Sequence, residues 1–407
     1  MWLMVQQRLQ AGASLGTAVL QLLRGIPASF WPRPCKRILQ WREHGKAPSS
    51  HTAAYNQARQ ALPLSIVQRS SDHIFQQLVS QMDDIRTGAS ARAFILDGTS
   101  MRMAHSPASC ELYPPGSNQH GDAHWPLIRM LVAHDVSTGL AMPPEWGAMN
   151  GPDAVSEQLL LERAIDRLPK GSVLIGDANF GVFSVAYSAV QREHPMVLRL
   201  TLDRARRLAG EAPRDGIDRE LDWKPSRADR KSHPHLPADA CVKGHLLVKQ
   251  VQPNVGGAPL LLAFFTTVAS SQESLELYAK RWAIETDLRT LKSTLHLGQL
   301  TSSTPDMVAK EIEMGIVAYN LIRAFIGLAS RESGIPTRGY SFTKVRQIVE
   351  ILGPDLASAP DPVSAKRIFH LMMRCVQQSK LPKRTRKRPS YPREVWKRGA
   401  TFPSPKR

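Results

Sequence analysis

Three acidic side chains stand at positions from which they can act together. Asp97 and Asp177 each follow a short apolar run, and Glu285 lies in a stretch with helical periodicity. Carboxylate oxygens without a cluster of Cys or His suit Mg²⁺ rather than zinc. Two such ions about 3.5–4 Å apart activate an attacking oxygen and stabilise a leaving oxygen in phosphodiester displacement. The residue types therefore predict phosphodiester chemistry.

The stretch around Glu285 carries further side chains that suit a phosphate substrate. On one continuous helix over 275–297, at about 100° per residue, a stripe about 60° wide contains Tyr278, Arg281, Glu285 and Lys292. An adjacent apolar stripe would hold the helix on a sheet and consists of Ile284, Leu288, Leu291 and Leu295. Asp287 is expected to point away, so Glu285 is the acid assigned to the site.

The apolar runs predict the elements that position these acids. Short strands are predicted at 93–96, 127–134, 140–142, 173–176 and 196–201. A helix over 153–168, capped by Asp153, and another over 182–192 lie between them. Ligand sites form at strand ends in α/β sheets, so Asp97 and Asp177 are expected at one edge. A single Asp after a strand is usually a turn or cap residue, and only the three acids together indicate a site.

Changes of composition along the chain predict six segments. They are a helical N-terminal DNA-binding region (1–85), the first half of a catalytic core (86–201), a β-rich insertion subdomain (202–258), the second half of the catalytic core (259–330), a helical C-terminal region (331–379) and a basic tail (380–407). The helical pattern of the first region fits a small DNA-binding module and any other helical bundle about equally.

The net charge indicates a polyanionic partner. The 407 residues contain 53 Lys+Arg and 35 Asp+Glu, a formal charge of +18. Residues 380–407 hold eleven Lys/Arg and one Glu, which is +10 of that total. This proline-broken tail is predicted to be an extended arm that contacts backbone phosphates, and the alternative is a solubilising tail. The cations assigned to phosphate contact are Lys383, Arg384, Arg386, Lys387 and Arg388.

Several classes are excluded by composition and motif. The apolar run 14–23 is too short for the ~20 residues of a membrane span, and residues 1–24 do not fit a secretory signal. The four cysteines are at least 75 residues apart, so no Cys-x-x-Cys pair occurs. We therefore expect a protein of the reducing cytoplasm, associated with the nucleoid and not with a membrane. No P-loop, Gly-x-Ser-x-Gly or dinucleotide fingerprint is present.

The spacing Tyr278-x2-Arg281-x3-Glu285-x6-Lys292 resembles the signature of the DDE transposases of bacterial insertion sequences, in the group typified by insertion sequence 4. Asp97 in Leu-Asp-Gly-Thr and Asp177 in Ile-Gly-Asp-Ala-Asn-Phe-Gly match the two aspartates of that family. The resemblance covers roughly residues 92–328.

The resemblance implies a ribonuclease H-like catalytic core with a β-rich insertion between Asp177 and Glu285. It implies that Asp97, Asp177 and Glu285 bind Mg²⁺, for which Mn²⁺ is expected to substitute. The implied partners are transposon terminal inverted repeats and target DNA, bound by a homodimer. The implied reaction is nicking of the ends and strand transfer by the freed 3′-hydroxyl.

The resemblance also implies that Tyr278, Arg281 and Lys292 contact phosphates near a flipped base. Either Trp282 or Trp223 would stack on that base.

Three other interpretations compete with an active transposase. A catalytically decayed transposase or DNA-binding regulator would bind ends without cutting them, and a stand-alone nuclease would cut without joining. His120 and Asp122 resemble the start of a two-His-one-carboxylate iron site, but no third ligand has a recognisable spacing.

Overall fold

The structure is a computed structural model that describes residues 1–10, 14–24, 36–45, 49–85, 91–118, 121–252 and 259–382. Within these ranges the helices are α1 (Trp2–Leu9), α2 (Leu15–Arg24), α3 (Lys36–His44), α4 (Thr52–Ala61), α5 (Leu64–Gln81), α6 (Pro107–Leu112), α7 (Glu157–Ala164), α8 (Phe183–Gln191), α9 (Leu202–Ala209), α10 (Arg227–Ser232), α11 (Ser271–Ala279), α12 (Trp282–Arg289), α13 (Pro305–Ser333), α14 (Phe342–Ala357) and α15 (Pro362–Gln378). The strands are β1 (Ala93–Arg102), β2 (Pro115–Asn118), β3 (Gly121–Asp135), β4 (Glu145–Ala148), β5 (Val173–Gly176), β6 (Met196–Leu200), β7 (Asp218–Trp223), β8 (Val242–Val251) and β9 (Leu260–Thr266). The predicted α/β class is confirmed.

The strands form one mixed sheet in the order β2-β3-β1-β5-β6-β9-β8-β7, and β4 also pairs with β3. Strand β3 is antiparallel to both of its neighbours β4 and β1, whereas β1, β5 and β6 run parallel. Strand β9 is antiparallel to β6, and β8 and β7 follow it. The strands of the segment 202–258 therefore extend the sheet that carries the two aspartates.

Alternating side chains bury both faces of this sheet. On β1, Phe94 and Leu96 belong to one apolar core, whereas Ile95 belongs to the core on the opposite face. Ile95 pairs in parallel register with Ile175 of β5. Because side chains on a strand alternate with a period of two, Asp97 and Asp177 continue the face of these two isoleucines. The register thus makes the two aspartates neighbours on one face.

Several predicted boundaries are wrong. The first strand does not end before Asp97, because its antiparallel pairing with β3 continues to Arg102 opposite Leu127. Residues 140–142 form only a bridge, between Ala141 and His134. Helix α7 starts after Ser156 and not after Asp153.

Helix α13 is long and apolar enough, by length and composition, to cross a membrane. However, 83% of its most apolar window is buried inside the protein. Thr304 caps its first turn, and Gly334 ends it in the left-handed conformation that favours glycine. These features are those of the central core helix of a globular fold.

Glu313 of α13 gives a testable dependence of stability on pH. Burial raises the pKa of this carboxyl to about 7, and the nearby Ser71 hydroxyl and the charge of Arg167 only partly oppose the shift. The buried acid is therefore protonated in the folded chain at pH values where the unfolded chain is ionised. Its contribution to stability is complete below the unfolded pKa near 4.5 and is lost as the pH rises through about 7.

We expect Glu313→Gln to raise the free energy of unfolding above pH 7 by roughly 1–3 kcal/mol and to have little effect near pH 4.5. Urea unfolding at several pH values measures the difference. Glu162→Gln, at an exposed position of α7, is the matched control. Parallel pH profiles for wild type and Glu313→Gln would contradict the prediction.

Candidate active site

Asp97 and Asp177 interact directly through their charges. Burial raises the pKa of Asp97 to about 6, and the negative charge of Asp177 adds to the shift. The positive charge of Arg281 and the hydrogen bond from the Gly98 amide oppose it. Two carboxylates that repel each other on a partly buried surface are suited to share a cation.

Glu157 is an acid of this cluster that sequence reasoning did not assign. Its charge acts on Asp97, and its carboxyl carbon lies 2.0 Å from the position that a Cβ would take at residue 98. Glycine at 98 is therefore required for this close approach. Asn179 donates to Glu157 Oε2 at 2.5 Å through its side chain and to Asp177 Oδ1 at 2.9 Å through its backbone N–H. Asn179 thus ties Glu157 to Asp177.

The helix predicted over 275–297 is not continuous. It divides into α11 and α12, followed by a π-helical segment at Thr290–Thr294. At the break, the amides of Lys280 and Arg281 bond to carbonyls three residues back, so the backbone tightens. The uniform 100° spacing therefore fails across Arg281. The apolar side chains Ile284, Leu288, Leu291 and Leu295 are nevertheless buried, as predicted.

Tyr278 and Arg281 lie beside the aspartates despite this break. The Tyr278 ring packs against Phe264 with centroids 4.6 Å apart, and burial raises the pKa of its hydroxyl. The Arg281 guanidinium lies 5.9 Å from the Tyr278 ring centre and 5.5 Å from that of Trp282. Trp282 is 61% exposed, so its ring is free to meet a large ligand.

Lys292 reaches the same acids from the π-helical segment. Burial lowers the pKa of its ammonium, the charge of Arg102 lowers it further, and the carboxylate of Asp97 has the opposite effect. Lys292 is thus held between an acid of the site and an exposed cation at the end of β1. This pair of cations provides charge for a phosphate group close to Asp97.

Glu285 occupies an exposed position in the first turn of α12, four residues after Arg281. In the described ranges, no interaction joins Glu285 to either aspartate, and no group of three or more His, Cys, Asp or Glu could hold a metal ion. The structure therefore brings together Asp97, Asp177, Arg281 and Lys292, and it leaves Glu285 at the margin.

Asp287, two residues further along α12, points into the core. Arg323 of α13 binds its Oδ1 at 2.5 Å, and Arg338 binds its Oδ2 at 2.8 Å. Although burial opposes ionisation, the charge of Arg323, together with His134 and Arg338, lowers the pKa of Asp287. This buried ion pair fastens the helix of Glu285 to α13.

Two other predicted contacts have different outcomes. Trp223 is 3% exposed and packs against Phe183 and Phe265, so it is a core residue and not a base-stacking one. The tail cations lie outside the described residues; they are Lys383, Arg384, Arg386, Lys387 and Arg388.

The fold and this cluster define an α/β protein that gathers carboxylates and cations at one place on a mixed sheet. The chain belongs to the family described as "Transposase DDE domain", which matches residues 88–321. It is also 25% identical over 321 residues to "Transposase InsG for insertion sequence element IS4" of Escherichia coli (strain K12). That alignment covers 76% of this chain and 68% of the relative. The chain is thus a DDE transposase of an IS4-like element, and its class acts on DNA with divalent metal ions.

Proposed function

We propose that this transposase binds the terminal inverted repeats of its element, nicks them and joins the freed 3′-hydroxyl to target DNA. The observation that carries the proposal is the adjacent pair Asp97 and Asp177 with the cations Arg281 and Lys292 beside it. Acids and cations together fit a phosphodiester substrate whose charge must be neutralised while one P–O bond forms and another breaks. The proposed assembly on DNA is a homodimer.

A ribonuclease H-like core belongs to this proposal. Its support is the order β4-β3-β1-β5-β6, in which three antiparallel strands are followed by two parallel ones. In the proposed division, residues 86–201 and 259–330 carry the chemistry, and residues 1–85 recognise the ends. The segments 202–258, 331–379 and 380–407 are the proposed insertion, helical C-terminal region and DNA-binding tail.

The donor set fits a hard divalent cation. Asp97 and Asp177 offer carboxylate oxygens on one face, and the raised pKa of Asp97 reflects a burial and repulsion that a cation would relieve. We assign Asp97, Asp177 and Glu285 to hold Mg²⁺, with Mn²⁺ as a substitute. When bound, the metal supplies activation of the attacking oxygen and stabilisation of the leaving oxygen.

The remaining side chains position the DNA. Arg281 and Lys292 each offer a charge-assisted contact to a phosphate oxygen near Asp97. Tyr278 supports Arg281 by the contact of the guanidinium with its ring. Trp282, which is exposed and also contacts that guanidinium, is assigned to stack on a displaced base.

The test is a labelled duplex that carries the element's end, incubated with full-length protein, Mg²⁺ and a target plasmid. Nicked ends joined to the plasmid are expected. Nicked ends without joining would favour a nuclease, and bound but uncut ends would favour a decayed transposase or regulator.

Removal of residues 383–407 is expected to weaken binding to all DNA sequences alike. The deleted segment holds ten Lys/Arg and one Glu, and the cut leaves intact the bridge between Lys380 and Tyr340. For every phosphate that the tail no longer neutralises, the slope of log K against log salt should become less negative by about 0.9. Fluorescence anisotropy at several salt concentrations measures this slope. Equal slopes for the truncated and full-length proteins would exclude the tail from DNA contact.

A further inference from the structure

Three aromatic side chains form an exposed group beyond the aspartates. The imidazoles of His105 and His124 stack with centroids 4.7 Å apart and planes 7° apart. The indole of Trp125 meets the His124 ring edge-on at 4.7 Å. Trp125 is 37% exposed, and both histidines are also exposed. Exposed rings in mutual contact offer a ready π-surface, because their orientation is already fixed before a ligand arrives.

The backbone joins this ring group to the candidate active site. Arg102 ends β1 opposite Leu127, and the amide of Met103 bonds to the carbonyl of Pro126 at 3.0 Å. The segment that carries His105 is thereby held against the end of β3 that carries Trp125. Along β1, Arg102 lies between Asp97 and this ring group, and its charge acts on Lys292, on which Asp97 acts with the opposite sign. Two cations therefore lie near the backbone path from Asp97 to the rings.

The spacing is set by the strand. Asp97 pairs with Val132, and Trp125 precedes Val132 by seven residues on β3. At about 3.4 Å per residue the rings lie up to about 24 Å from Asp97. Because one strand of duplex DNA advances about 3.4 Å per nucleotide, this upper limit corresponds to roughly seven nucleotides.

Cations beside an exposed aromatic surface suit the binding of single-stranded nucleic acid. The backbone phosphates follow the charges while unpaired bases stack on the rings, in any sequence, because every base has a π-face. In a fully paired duplex the bases are stacked inside the helix, so their π-faces are not accessible to the rings.

We propose that His105, His124 and Trp125 form a stacking platform for unpaired bases of the DNA, within roughly seven nucleotides of the phosphodiester held at Asp97. This proposal rests on the proposed function, because it takes the bound polymer to be the DNA at the active site. It is separate from the contact assigned to Trp282, which lies on α12 next to Arg281.

The experiment measures binding of the full-length protein to end duplexes that carry a patch of three unpaired bases. The patch is moved in single-nucleotide steps in both directions from the scissile phosphodiester. Wild type should bind best at one patch position that lies on one side of the scissile phosphodiester, within about seven nucleotides of it. Trp125→Ala and His124→Ala should lose on the order of tenfold in affinity for that DNA and little for paired duplex. Trp125→Phe should retain most of the affinity.

Leu112→Ala is the matched control, because it removes another exposed apolar side chain from the same region of the chain, the end of α6. The salt slope should be the same in the Trp125 variants as in wild type, since no charge is removed. Three results would overturn the platform. They are the absence of a preferred patch position in wild type, equal affinities of wild type and ring variants, and an equal loss of affinity for paired and unpaired DNA. Nicking of fully paired end duplexes by the wild-type protein is measured in parallel and tests the proposed function independently of the platform.

Discussion

Alanine at Asp97, Asp177 or Glu285 is expected to reduce nicking of a transposon-end duplex by about a thousandfold or more. Asp97 and Asp177 are partly buried neighbours whose repulsion makes a bound cation favourable. Asp97 lies on β1 and Asp177 directly follows β5, and apolar side chains fix both strands in the sheet. Loss of any ligand removes the charge that stabilises the attacking and leaving oxygens. Strand transfer should be lost with nicking, because both steps use the same acids.

The binding of end DNA distinguishes this result from misfolding. It should stay at the wild-type value or improve slightly, since each substitution removes a negative charge that faces phosphate. Thr286→Ala, at an exposed position next to Glu285, is the matched control and should nick normally. Appreciable nicking by Glu285→Ala, or undiminished wild-type activity in excess chelator, would exclude the metal assignment.

Glu285 is the most informative of these variants, because it lies at the margin of the cluster. An inactive Glu285→Ala would support a movement of Glu285 toward Asp97 when DNA binds. The tightened turn at Lys280 and Arg281 and the π-helical segment at Thr290–Thr294 flank α12 and are natural places for such a movement.

The sequence predicted those features of the site that depend on local pattern. The apolar run 173–176 is a strand followed by Asp177, and the stripe of apolar residues around Glu285 is buried, because periodicity reports which side chains face a core. The extension of β1 through Asp97 was not predicted, since polar residues such as Ser100 and Arg102 continue the strand only through pairing with β3. That pairing is a long-range property.

Two contacts at the site could be found only from the three-dimensional arrangement. Glu157 reaches Asp97 because residue 98 is glycine, and no spacing in the sequence relates these positions. Arg102 meets Lys292 because the chain after the π-helical segment bonds back to β1, with the Arg102 amide donating to the Gly298 carbonyl at 3.2 Å. Ser156, the residue before Glu157, caps α7 and so fixes the start of the helix that carries Glu157.

Asp287→Ala is expected to destabilise the whole protein by about 3–5 kcal/mol. Asp287 is fully buried between Arg323 and Arg338, so its removal leaves the buried Arg323 guanidinium without a counter-charge. The Arg323 Nε also donates to the Tyr319 hydroxyl at 2.9 Å, and that hydroxyl donates to the Gly139 carbonyl at 2.9 Å. The carboxylate thus connects α12, α13 and the turn after β3 in one buried network.

Because this network fastens the helix of Glu285, nicking should fall in Asp287→Ala even at temperatures where circular dichroism shows the chain to be folded. Glu285→Ala should show the opposite combination, with abolished nicking and an unchanged melting temperature, since Glu285 is exposed. Asp287→Asn should fall between wild type and alanine in stability, because it keeps a hydrogen-bond acceptor for the guanidinium groups but not the charge. The thermal melting curve and the nicking rate of each variant therefore separate a residue that holds the helix from one that contacts the metal. Equal melting temperatures for Asp287→Ala and wild type would show that the buried pair contributes nothing to the fold.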